Sequence, residues 1–112
     1  MNAVKNFLYS KMPKIFEYLG IVLYFYSNEH EPVHVHATKS GKETKVSFII
    51  KSGLIEEIII SNVPGRSPIK GQDLQNLKKF VVKYGDEIVT KWVDYFVYQR
   101  RVGFEKITTK LK

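Results

Sequence analysis

The chain has 112 residues, 44% of them hydrophobic, and a formal net charge of +7. This is the make-up of one globular domain with a modest core, not of a disordered chain. It has no cysteine, which excludes disulfides and thiolate metal ligands, and no apolar run near the roughly 20 residues that span a bilayer. A cytoplasmic protein with no membrane association is expected.

In chain order, residues 1–12 read as an N-terminal extension of a single domain covering 1–112. The pattern turns strand-like at Gly20. "GIVLYFYS" (20–27) is rich in β-branched and aromatic residues and predicts a first strand. "NEHEP" (28–32) is polar, ends in proline and predicts a loop. "VHVHAT" (33–38) alternates strictly and predicts a second strand. The turn "KSGK" leads to a third, "ETKVSFII" (43–50), and "KSG" to a fourth, "LIEEIII" (54–60). Such short connections imply an antiparallel four-stranded meander.

A long connection (61–71) follows, and then a helix. Leu74, Leu77, Val81, Tyr84, Ile88, Trp92 and Phe96 recur at three- or four-residue steps. One long helix is expected, or two nearly collinear ones broken at Gly85-Asp86, because Gly85 lies off this stripe. Residues near 103–108 suggest a short fifth strand at an edge. The helix stripe should cover the apolar face of the sheet, giving a two-layer α+β domain.

All three histidines, His30, His34 and His36, fall within seven positions. Strand alternation sends Val33, Val35 and Ala37 to the core and His34, His36 and Thr38 to the opposite face. In the next strand Val46, Phe48 and Ile50 form the apolar set, with Lys45 and Ser47 opposite. A two-residue Ser40-Gly41 turn pairs Val35 with Val46, His36 with Lys45 and His34 with Ser47; a four-residue loop shifts the pairing by two. Both registers bring the histidines, Lys45 and Ser47 together. Strand one adds either Tyr24 and Tyr26 or Leu23 and Phe25.

Three readings of this face compete. Two histidines beside a lysine supply a base, an acid and a cation for metal-independent RNA cleavage: His34 and His36 as acid and base, Lys45 as charge stabiliser, His30 as a positioning group. Alternatively, His34 and His36 ligate zinc or another divalent metal, with His30, Glu29 or Glu31 as third ligand. In the third reading they are half-exposed strand residues bonded to their neighbours. The amphipathic N-terminal piece could itself cover this face.

The charge is uneven. Residues 1–60 carry seven Lys against six Glu, and residues 61–112 carry eleven Lys and Arg against five Asp and Glu. An acidic partner for the second half follows, either RNA or a small acidic protein. Arg66 and Lys70 in the long connection, and Arg100 and Arg101 at the helix end, are the candidate nucleic-acid contacts. Lysines off the helix stripe equally suit a solvated face.

The stretch "MPKIFEYLGIVLYFYSNEHEPVHVHA" (12–37) resembles the opening of small bacterial proteins grouped as domain-of-unknown-function family 4160. That opening runs Met-Pro, a short helix-like turn, an apolar strand, an acidic residue, His, a proline-containing spacer and His-x-His. The matching positions are Glu29, His30, Pro32, His34 and His36. "KYGDEIVTKW" and "GFEKIT" are similar to the family's second half. Val33 stands where a second proline is usual, and Val35 where an aromatic is common. The resemblance implies a site at the three histidines and a partner in a toxin–antitoxin-like gene pair. It implies no mechanism.

Overall fold

A computed structural model describes residues 12–26 and 32–112. Its elements are β1 (Lys14–Tyr18), β2 (Ile21–Tyr24), β3 (His34–Lys39), β4 (Lys42–Lys51), β5 (Leu54–Asn62), α1 (Gly71–Phe96) and β6 (Glu105–Ile107). The strands form one sheet in the order β5-β4-β3-β2-β1-β6. All neighbours are antiparallel except β1 and β6, which run parallel with Phe16 opposite Glu105. The α+β class and the single long helix on one face therefore hold. The four-stranded antiparallel meander does not: the sheet is six-stranded and mixed.

The strand that sequence patterning misses is β1. Alternation fails there because a bulge between Lys14 and Phe16 turns both Ile15 and Phe16 into the core. The five residues look like an unpatterned lead-in or a helical turn, yet they pair along β2. Leu19 and Gly20 close this hairpin, both at positive φ, the backbone of a type I′ turn. The predicted edge strand near 103–108 is β6, and docking on β1 is what makes the sheet mixed.

In β5 a second bulge, facing Ile49 and Ile50, explains the run "LIEEIII". It resets the alternation so that Ile55 opposes Ile50 while Ile58 and Ile60 oppose Phe48 and Val46. All three isoleucines pack towards the core, and Glu57 turns to the other face opposite Ile49. Ile50, assigned to the core by alternation, is 36% exposed beside this bulge.

The core lies between the sheet and α1. Phe16, Leu23, Phe25, Val35, Val46 and Phe48 are fully or almost fully buried against Leu77, Phe80, Val81 and Ile88. Helix α1 runs unbroken through Gly85, which is buried instead of off the packed face. A Cβ there would lie 3.0 Å from Ile55 Cδ1 and 3.5 Å from Phe48 Cε1. The glycine serves close approach of helix and sheet, not a break. No helix among the described residues is long and apolar enough to cross a membrane.

Candidate functional site

The Ser40-Gly41 turn decides the register. Both residues have positive φ, 53° and 79°, and the two-residue type I′ loop pairs Val35 with Val46, His36 with Lys45 and His34 with Ser47. Val35 and Ala37 are fully buried under α1, so His34 and His36 share the face away from it. In β2 and the two residues that follow it, Leu23 and Phe25 take the core side, which places Tyr24 and Tyr26 with the histidines. Tyr24 is the cross-strand neighbour of His36.

The histidines are not half-exposed. Each retains only 3% of its surface. Their rings meet edge to face with centroids 5.4 Å apart, and Tyr26 stacks on His36. Both Nδ1 atoms face acceptors. His34 Nδ1 donates to the Pro32 carbonyl at 2.6 Å, and His36 Nδ1 donates to Glu43 Oε2 at 2.8 Å. A carbonyl or carboxylate oxygen only accepts, so a neutral ring in either place carries its proton on Nδ1 and its lone pair on Nε2.

Glu43 is the residue that sequence reasoning missed, and it organises the site. It is fully buried. Its Oε2 accepts from His36 and from the Tyr26 hydroxyl, and its Oε1 accepts from Arg66 Nη1 at 2.8 Å. A buried carboxylate without such donors would be very costly; three donors, one of them a guanidinium, meet that cost. Alternation carried the signal: Glu43 lies two residues before Lys45, so it shares the histidine face, and the turn sets it opposite Thr38. The Tyr26 hydroxyl holds its proton beyond the usual tyrosine range. Burial is the main cause, followed by its hydrogen bond to Glu43 and the charge of that carboxylate.

Arg66 reaches Glu43 because the long connection runs beside the start of β4. Glu43 N–H donates to Ser67 O at 2.9 Å, and Ile69 N–H donates to Thr44 Oγ1 at 2.8 Å. Arg66 also donates to the Gly41 carbonyl at 3.1 Å. Expected as a nucleic-acid contact, it is committed to this network. Lys45, opposite His36 and half-buried, takes part in no ion pair among the described residues.

The remaining candidates do not form one patch with these. Lys70 precedes the first turn of α1, while Arg100 and Arg101 follow its last. A helix of 26 residues separates them, on the order of 40 Å. The arginines lie beyond the helix end instead of in its last turn; Arg100 stacks over Tyr98 and pairs with Asp94 at 3.5 Å. His30, Glu29 and Glu31 lie outside the described residues, as do residues 1–11 of the N-terminal piece that could cover this face; Ile15 and Phe16 of that piece are buried in the core instead. Among the described residues, no group of three His, Asp or Glu side chains is arranged to hold a metal ion.

The family model described as a domain of unknown function, DUF4160, matches residues 20–93. This span holds β2 to β5 and most of α1, and so the whole His34–His36–Glu43–Arg66 constellation. No curated protein and no solved structure matches the chain.

Proposed function

For a chain that belongs to the DUF4160 family, whose description names no activity, we propose general acid–base chemistry on RNA, in the manner of a toxin-like, metal-independent ribonuclease. The observation that carries this reading is the bond from His36 Nδ1 to the buried Glu43 at 2.8 Å. A carboxylate at Nδ1 orients the ring, keeps the lone pair at Nε2 and stabilises the cation formed when Nε2 takes a proton. His36 is then the base that removes the ribose 2′-hydroxyl proton. The 2′-oxygen attacks phosphorus, the bond to the 5′-oxygen breaks, and His34 returns a proton to that leaving oxygen. Lys45, opposite His36, offsets charge on the phosphate oxygens. His30 is the positioning group. The positive second half supports RNA, or a small acidic protein of a two-gene cassette, as what the chain meets. Burial of both rings sets one condition: RNA has to displace what surrounds them.

The test is incubation of purified chain with RNA in excess chelator. The reading expects products ending in 2′,3′-cyclic phosphate. His36→Asn, whose amide can still donate to Glu43, should lower the rate by about a hundredfold or more while the fold is kept. Cleavage that persists in the His34→Ala/His36→Asn double variant would sink the assignment, as would intact RNA with the wild-type chain.

One observation favours a second reading, a metal-binding module. Metal-bound imidazoles usually hold their second ring proton on a carboxylate or backbone carbonyl, and both histidines do so here. Side chains two apart on a strand share a face, so two Nε2 atoms can converge on one ion, with His30 as a third ligand. This reading expects stoichiometric zinc binding in titration calorimetry, abolished by His34→Ala, and RNA left intact by the wild-type chain in excess chelator.

A further inference from the structure

β5 is the outermost strand on its side of the sheet, and its far edge has no backbone partner among the described residues. An edge this long normally carries a device against pairing. Here the device covers only one half: the bulge opposite Ile49 and Ile50, together with Glu56. From Glu57 to Ser61 the strand is regular. Ile59 is 40% exposed on the outer face. On the inner face a cavity of about 360 Å³ opens beside the edge, lined by Ile58, Ile60, Lys78, Val81 and Val82.

We propose that β5 pairs antiparallel with β5 of a second copy of this chain, about a two-fold axis through Ile59, joining the two sheets edge to edge. Of the registers centred on Glu57, Ile58, Ile59 and Ile60, only that on Ile59 is self-complementary; that on Ile60 sets Ile59 against the partner's Ser61 and Ile58 against the partner's Asn62. Residues opposite each other share a face, so the axis has to pass through a residue. Centred on Glu57, it sets two like charges together. Centred on Ile58, it sets Ile59 against the partner's Glu57 and Ile60 against the partner's Glu56. Centred on Ile59, it pairs Ile59 with the partner's Ile59, Ile58 with the partner's Ile60, and Glu57 with the partner's Ser61. Apolar meets apolar on both faces, and each end pairs an acid with a small hydroxyl residue.

Charge supports the same register. On the outer face Ser61 lies opposite Lys45 in β4. The cross-strand row then continues from Lys45 over Ser61 to the partner's Glu57. Two strand spacings separate their backbones, roughly 10 Å, and a serine between them leaves room for the long side chains to meet. Lys45 has no other acidic partner among the described residues. Because the axis is two-fold, the pair forms twice. The pairing is short, so dimer formation depends on concentration.

The chain has no cysteine, so single-cysteine variants report the register directly. Under oxidation Ile59→Cys should form a disulfide-linked dimer rapidly, since residues facing each other across antiparallel strands fall within disulfide reach. Leu54→Cys, more exposed but outside the paired stretch, should stay monomeric. Glu57→Cys and Ser61→Cys should crosslink when mixed. In sedimentation, wild type should pass from monomer to dimer across the micromolar to low-millimolar range, and Ile59→Lys should remain a monomer with unchanged folding. A wild-type monomer throughout that range overturns the proposal, whether or not the edge binds another protein's strand. So does a dimer that survives Ile59→Lys, or crosslinking of Leu54→Cys as fast as of Ile59→Cys.

Discussion

Tyr26 lies flat against His36, with ring centroids 3.7 Å apart and planes 2° from parallel, and both residues donate to the same oxygen of Glu43. Stacking and hydrogen bonding thus fix the imidazole from two directions. One carboxylate serves the segment after β2, β3 and the long connection after β5 at once.

Replacing Glu43 by Gln should therefore act on several elements together. It removes the charge but keeps the volume, and weakens three charge-assisted bonds. A loss of about 2–3 kcal/mol is expected in urea denaturation. Arg66→Ala should cost less, about 1 kcal/mol, because the arginine side chain is 43% exposed. Equal costs for the two variants would mean that Tyr26 and His36 contribute little to holding the carboxylate.

The Tyr26 hydroxyl gives a pH signature. Its folded-state pKa lies above the unfolded value of about 10. Its stabilising effect is fully present below pH about 10 and is lost as pH rises towards the folded value, because only the unfolded chain releases the proton. Tyr26→Phe should be less stable than wild type at pH 8. It should also lose less stability than wild type between pH 10 and 11. Parallel stability curves for the two chains across that interval would refute the assignment.

Gly85 offers a test of helix–sheet approach. Alanine is the better helix former by about 1 kcal/mol, but its Cβ would crowd Ile55 Cδ1 at 3.0 Å. Gly85→Ala alone should gain little of that. In an Ile55→Val background, where the crowding methyl is gone, the gain should appear in full. The double-mutant cycle should show favourable coupling; simple additivity would show that the contact is relieved without cost.

Much of this site was legible in the sequence because strand alternation is rigid. Keeping Val35 and Val46 on one core side limits His36 to facing Lys45 or Ser47, and the two-residue turn of the structure chooses Lys45. The same arithmetic also places Glu43, whose polar flanks gave no reason to single it out. Tyr26 was ambiguous because the stretch 20–27 is apolar on both faces, and only packing under α1 chose Leu23 and Phe25 for the interior. Arg66 was visible as a charge but not as a partner, since its position depends on how a proline- and glycine-rich connection folds back. The bulges hid more: each inserts one residue, and one residue reverses every face that follows.

The pairing of β1 with β6 has a kinetic consequence. β3, β4 and β5 are joined by two-residue turns, so their contacts close short loops, whereas Leu111 N–H reaches Tyr18 Oη across 93 residues of chain. Closing a loop of that length costs the most entropy and is rewarded last. The β3–β5 hairpins should form in the folding transition state and the β1–β6 seam after it. Ile107→Ala should then speed unfolding several-fold and leave the folding rate nearly unchanged, whereas Val46→Ala should slow folding. The parallel seam acts as a latch on the lifetime of the native state, and stopped-flow measurements on these two variants would locate it.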